Sequence, residues 1–249
     1  MPTLLQYLST VDPDLDRTNV KTGMNSFNPE WDVVEGIREW TDFTYENMIT
    51  MLGDTLTSMY QSSQFDMPTQ LRRPTLQIVD ETTVAAVLLK WNHTIVDRAL
   101  QLASSTRNLR SMSWALGAHA DISGQVIFPD WAGIDLDSTF PASNRVPGDT
   151  KVSGKWNTDM QQKEEDDTDE FFKPLRQVIH YARLFNTRYA YVISDKELYT
   201  DEKGWPTFTS TLDVFAYKPT QPLFWSRDSK FPAAAKPSTV SYTAASTQT

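Results

Sequence analysis

Residues 146–156 read VPGDTKVSGKW, a short run of apolar and small residues that carries an acid and a base with one residue between them. On a β-strand successive side chains point to opposite faces, so Asp149 and Lys151 project together while Thr150 and Val152 face the other way. Such a pair is either a plain salt bridge on a sheet or half of a metal-dependent active site. An acid-x-Lys triplet arises by chance at about one position in 180 of this composition, so the pair alone decides nothing. What decides is the order of elements around it.

Upstream, SMSWALGAHAD (111–121) and QVIFPDWAGID (125–135) are short segments bounded by Gly, Pro, Asn or Asp, and with residues 144–156 they read as three successive strands. Before them, ETTVAAVLLKWNHTIVDRALQLA (81–103) has apolar positions 84, 87, 88, 91, 95, 99 and 102 with Asp80 as N-cap, which predicts one helix. After them, the acidic run KEEDDTDE (163–170) reads as a solvated loop. KPLRQVIHYARLF (173–185) then reads as a helix with Pro174 in its first turn and Leu175, Val178, Ile179, Ala182 and Phe185 on one face. RYAYVISDKELYT is a strand turning at Ser194 to Lys196, and residues 207–217 are a further strand. The expected class is α/β: a mixed central sheet flanked by helices, in the order helix, three-stranded meander, helix, strand.

Further out, apolar residues between Pro29 and Tyr60 recur at helical spacing and predict one or two amphipathic helices, followed by a polar, proline-broken connection over 61–74. The division expected from these shifts is a helical N-terminal extension (1–75), a main domain (76–232) and a disordered tail (233–249) of small and polar residues. The N-terminal helices are a candidate docking element for a protein partner.

The bulk numbers narrow the chemistry. With 39% apolar residues, 12 Phe, 9 Tyr and 8 Trp, the chain can build a core. It has no Cys, so disulfides, thiolate zinc sites, cysteine nucleophiles and zinc deaminase signatures are excluded. No apolar stretch approaches the roughly 20 residues of a membrane span. The N-terminal stretch MPTLLQYLST lacks a basic region and a continuous apolar run. The expectation is an intracellular protein, in nucleus or cytoplasm, without a membrane partner. There is no Gly-rich loop ending in GK[ST], no G-x-S-x-G and no H-E-x-x-H. A formal net charge of −9 argues against generic adhesion to nucleic acid and leaves room for a local basic groove, for which Lys151, Lys155, Arg176, Arg183 and Arg188 are the nearest cluster.

Two neighbouring antiparallel strands can bring Asp130, read as the end of the second strand, beside Asp149 on the third. Two carboxylates with a backbone carbonyl, for which Thr150 is placed, suit Mg²⁺ or Mn²⁺. A bound ion would polarise a phosphoryl oxygen and generate a nucleophilic water, and Lys151 would serve that water or the charge building on the phosphate. On the following helix Gln177 and Tyr181 sit four apart, hence on one face, where their polar ends can reach a phosphate or the attacking water. Trp131 and Trp156 flank the site, and base stacking is a conceivable role beside the commoner one in the core.

Together PD (129–130), DTK (149–151) and QVIHY (177–181) resemble the PD-(D/E)XK nuclease superfamily, and the Gln-x-x-x-Tyr helix is similar to its RecB-like branch. The continuation YARLFNTRYAYVISDKELY resembles nuclease-like domains of fungal proteins. The resemblance covers about residues 80–220. It implies a restriction-endonuclease-like core, hydrolysis of DNA or RNA phosphodiesters with Mg²⁺ or Mn²⁺, metal ligands at Asp130, Asp149 and Thr150, and a catalytic set of Lys151, Gln177 and Tyr181. The family takes a further acidic ligand from the helix before the sheet. Glu81 is the best candidate, Asp97 the second, and His93 or His119 would serve where that ligand is a histidine. Ile127 stands where many RecB-like members have Gly. The competing expectation is a nuclease-fold module that has lost cleavage and acts as a binding, regulatory or effector protein.

Overall fold

The protein is described from a computed structural model, which covers residues 1–31, 34, 45–107, 109–120, 128–139, 142–162, 165–187, 189–196 and 213–216. The tail expected over 233–249, Ile127 and Arg188 lie outside these residues. The helices are α1 (Leu4–Leu8), α2 (Tyr45–Leu56), α3 (Arg73–Leu76), α4 (Glu81–Lys90), α5 (Asn92–Arg107) and α6 (Glu165–Leu184). The strands are β1 (Met112–Leu116), β2 (Trp131–Asp135), β3 (Gly148–Thr150), β4 (Tyr189–Ile193) and β5 (Asp213–Ala216). They form one mixed sheet in the order β1-β2-β3-β4-β5. The first three run as an antiparallel meander, β3 and β4 are parallel with α6 as the crossover, and β5 returns antiparallel beside β4. The class is mixed α/β, and among the described residues no helix is long and apolar enough to cross a membrane.

Each face of the sheet has its own helix. YAYVI of β4 is apolar throughout because both its faces are covered, as expected of a strand in a parallel pair. Ala190 and Val192 pack with Trp156, Phe171, Leu175 and Val178 on the α6 side. Tyr191 and Ile193 point the other way, into Ile78, Val84, Val87, Leu88 and Trp131 on the α4 side. The single helix expected over 81–103 is broken at Trp91 (φ −115°, ψ −73°). The break lets α4 face the sheet while α5 turns Ile95, Ala99 and Leu102 toward Leu4, Tyr7, Tyr60 and Phe65.

Residues 165–170 of the acidic run are not a loop. They are the first turns of α6. Pro174 consequently lies inside the helix and not in its first turn. A proline there leaves the carbonyl four residues back without its helical donor. That carbonyl, Glu170's, accepts from Asn25 Nδ2 at 3.2 Å, and Trp156 Nε1 donates to the next, Phe171's, at 3.0 Å.

The N-terminal residues are helical at α1, α2 and α3 but irregular over most of 9–31, where they lie against the core as a strap. Ile78 N donates to the Asp16 carbonyl at 2.9 Å, and Lys21 N donates to the Val79 carbonyl at 2.8 Å. Arg17 pairs through Nε with Asp195 at 3.0 Å, just past β4. A Cβ on Gly154 would stand 2.5 Å from the Lys21 carbonyl oxygen, so the strap presses directly on the turn after β3.

Candidate active site

The site forms where β2 and β3 part. They share a single register pair, Trp131 with Gly148. Asp130 does not end a strand as expected from the sequence but immediately precedes β2. Its carbonyl accepts from Gly117 N at 2.8 Å, and its carboxylate Oδ2 accepts from Thr150 N at 2.8 Å. A side chain has taken the place of the next ladder bond, which is why β2 begins only at Trp131. Gly117 is required there, since a Cβ would lie 1.7 Å from the Pro129 carbonyl oxygen.

The expected third strand is shorter than its sequence pattern: β3 ends at Thr150, and Ser153–Lys155 form a turn. Lys151 N still donates to the Ile193 carbonyl at 2.8 Å, so Lys151 keeps the direction of β3. Asp149 and Lys151 accordingly share a face, toward α6, and their side chains form an ion pair. In extended backbone the N–H and C=O of one residue point the same way, so the Thr150 carbonyl lies on the side where its N–H meets Asp130. The Thr150 hydroxyl faces the opposite layer and accepts from Trp131 Nε1 at 2.7 Å.

Gln177 is the hub of the α6 side. Its Oε1 accepts from Lys151 Nζ at 3.2 Å, and its Nε2 donates to Asp149 Oδ1 at 3.1 Å and to the Tyr181 hydroxyl at 3.0 Å. The Tyr181 hydroxyl donates in turn to the Phe128 carbonyl at 3.3 Å. Tyr181 is 1% exposed, so its hydroxyl holds Gln177 and the segment before Asp130 in register. Asp149 and Lys151 are also buried, at 3% and 5%, whereas Asp130 is exposed and Gln177 half-buried; the site opens on the Asp130 side.

Burial pushes the Asp149 carboxyl up to about 6; the negative charges of Asp130 and Glu81 add to this, and the Lys151 ammonium opposes it. At Lys151 burial works against the charge, but Asp149, Glu81 and Asp130 outweigh it and the pKa is raised. Lys151 is therefore an ammonium at neutral pH. Burial also pushes the Tyr181 phenol up to about 12, which keeps it protonated.

Glu81, the first residue of α4, is within electrostatic reach of Asp149 and Lys151, and its Oε1 pairs with Lys155 Nζ at 3.4 Å. Asp97 is elsewhere: it accepts from Ser113 Oγ at 2.7 Å, toward the end of the β1–β2 ladder opposite Asp130. His93 stacks on Trp114 at 5.9 Å, and His119 is exposed on the turn after β1. Trp131 and Trp156 are both 0% exposed, so neither offers a ring face to a base.

The donor set fits a magnesium-like ion. Asp130, Asp149 and the Thr150 carbonyl are hard oxygen donors, and Mg²⁺ is held by one or two carboxylates with waters completing the shell. Asp149 Oδ2 is buried and has no hydrogen-bond partner among the described residues, only the opposing ammonium. Among the described residues no three His, Asp or Glu side chains converge as a ready cage, and Glu81 is held aside by Lys155.

Three contributors, Asp195, Arg17 and Asn25, carry no role in the sequence reading. Asp195 is buried, accepts from Ser153 N (2.6 Å) and Ser153 Oγ (2.8 Å), and so fixes the turn after Lys151; Arg17 neutralises it. Asn25 Nδ2 donates to the Lys155 carbonyl at 2.9 Å. An Asp directly after an apolar strand is a usable signal for Asp195, but nothing local marks Arg17, 178 residues away, or Asn25. Comparisons of the chain with protein-family models, with curated proteins and with solved structures gave no match.

Proposed function

We propose that the chain is a divalent-metal-dependent nuclease with a restriction-endonuclease-like core, hydrolysing nucleic-acid phosphodiesters. The observation that carries this reading is the meeting at Thr150. Its N–H is bonded to the Asp130 carboxylate, and its neighbours Asp149 and Lys151 enter the Gln177–Tyr181 network. Asp130, Asp149 and the Thr150 carbonyl would hold Mg²⁺ or Mn²⁺, with Glu81 as the further acid once released from Lys155. When bound, the ion supplies polarisation of the phosphoryl oxygen and ionisation of a coordinated water.

The protein's own groups do the rest. Lys151, held protonated by the surrounding carboxylates, stabilises negative charge building on the phosphate and is not a general base. Gln177 sets the ammonium through Oε1 and Asp149 through Nε2, and Tyr181 sets Gln177; both are positioning residues. The test is cleavage of single- and double-stranded DNA and RNA with Mg²⁺ or Mn²⁺. The expected result is cleavage reduced at least about 100-fold by Asp149→Ala and by Lys151→Ala, as for loss of a group that stabilises transition-state charge. Cleavage unchanged in Asp149→Ala/Lys151→Ala overturns the proposal.

A second reading, a module of the same fold that binds without cleaving, is favoured by the Lys155–Glu81 pair, which occupies the candidate further acid, and by the lack of three converging His, Asp or Glu side chains among the described residues. Calorimetry separates the two. Mn²⁺ binding abolished by Asp130→Ala supports the nuclease, and absence of Mn²⁺ binding supports the module.

A further inference from the structure

We infer that Lys155 is a phosphate-binding residue of this site, a second cation that holds the nucleic-acid backbone at its mouth; the inference rests on the nuclease reading above. The site contains three carboxylates, Asp130, Asp149 and Glu81, against one buried ammonium, Lys151, so its own charge repels a phosphodiester. Among the described residues, Lys155 is a second cation paired within this cluster. It lies four residues beyond Lys151, and its ammonium is 3.4 Å from Glu81 Oε1, with the two side chains 26% and 37% exposed. It therefore reaches solvent where Lys151, 5% exposed, does not.

The other basic residues nearby are committed to groups outside the site: Arg17 to Asp195, Lys21 to Asp80, Arg176 to Asp169, and Lys173 to Asp169 and Glu170. Lys155, by contrast, pairs with Glu81, a candidate member of the site, as the buried Lys151 does with Asp149.

The backbone beneath Lys155 is fixed from several directions. Its N–H donates to the Val152 carbonyl at 2.8 Å and its carbonyl accepts from Asn25 Nδ2 at 2.9 Å. Ser153 is locked to Asp195, and the Lys21 carbonyl closes over Gly154. A flexible ammonium stem on a pinned turn can leave a half-exposed carboxylate for a phosphate at little cost, since partly exposed ion pairs are weak. Glu81 thus parks Lys155 at the mouth and competes with phosphate for it.

The test is binding in EDTA, where cleavage is silent. Fluorescein-labelled single-stranded DNA, single-stranded RNA and duplex DNA are titrated by anisotropy over a salt series, with circular dichroism confirming that each variant is folded. Lys155→Ala is expected to weaken Kd about tenfold at low salt and to lower the slope of log K against log salt by about 0.7 to 1. Lys155→Arg restores the slope. Glu81→Gln, which removes the competitor, tightens binding several-fold, and the gain disappears in Glu81→Gln/Lys155→Ala.

A Kd and salt slope indifferent to Lys155→Ala overturn the inference, as does a wild type that binds none of the three strands. The two readings fail separately. Lys155-dependent binding without cleavage in Mg²⁺ or Mn²⁺ sinks the nuclease and keeps the phosphate contact. Cleavage by a protein whose Kd ignores Lys155 does the reverse.

Discussion

Asp149→Asn removes one proton equilibrium from the core while keeping the shape of the side chain. In the folded protein burial holds that carboxyl near 6, against 3.8 for an ordinary Asp. The folded state thus binds the proton more tightly than the unfolded chain. The contribution to stability is complete below about pH 4 and is lost as pH rises through the folded pKa. A gap of about 2 pKa units at 1.36 kcal/mol each makes the loss about 3 kcal/mol. The assay is urea unfolding of wild type and Asp149→Asn in EDTA, at pH steps from about 3.5 to 7. Relative to the variant, wild-type stability should fall by about 3 kcal/mol between about pH 4 and 6.5 and then level off. A flat difference curve, or wild type gaining stability over the same range, would show that Lys151 fully compensates the burial of Asp149 and would refute the reasoning.

Three further outcomes are expected. Mn²⁺ at about 100 times its Kd should raise wild-type stability at pH 7 by about 2.7 kcal/mol and leave Asp149→Asn unmoved; equal shifts in both would place the ion elsewhere. Gly148→Ala sets a Cβ 2.1 Å from the Tyr191 ring, which is buried and receives Trp114 Nε1 on its hydroxyl, so a loss of about 3 kcal/mol and a changed near-ultraviolet circular dichroism should follow. A wild-type Tm in that variant would mean the sheet opens freely at β3. Arg17→Met leaves the Asp195 carboxylate with Ser153 alone and should cost about 2 kcal/mol in urea unfolding while speeding proteolysis within residues 15–25; unchanged cleavage there would detach the strap from the site.

The order of elements was legible because it rests on local patterns. Short bounded segments gave the meander, and the apolar spacing at 175, 178, 179 and 182 gave the crossover helix, all of which pack in the α6 layer. What the local pattern misplaced were boundaries settled by distant partners. The acidic run looks solvated by composition, yet its residues 165–170 begin α6. The interior Pro174 is tolerated because Asn25, 145 residues upstream of Glu170, takes the freed carbonyl. The helix over 81–103 shows one continuous stripe in sequence, and only the presence of two separate cores explains its break at Trp91. β3 is three residues long because Asp195, beyond β4, captures Ser153 and turns the chain.

The same distinction runs through the candidate site. Asp149 and Lys151 were readable as a same-face pair from a period of two, and Gln177 and Tyr181 from a period of four. That Gln177 joins both pairs needed α6 laid over β3, which the parallel β3–β4 crossover supplies. The protonation states were beyond the sequence, since they come from burial. A half-exposed Lys151 beside one carboxylate would be free to swing to solvent. Buried among three, it is held as an ammonium, which changes its expected work from taking a proton to countering charge. Residues 16–25 bond to the segment before Glu81, to Asp195, to the Lys155 carbonyl and to Glu170 of α6, so one stretch of irregular chain braces three of the four segments that bear site residues. Without it Asp195 would be a buried charge with no cation, and the Glu170 carbonyl would have no donor for the one Pro174 removes. The N-terminal residues therefore act on the site by fixing its framework, with no side chain of their own among its candidate ligands.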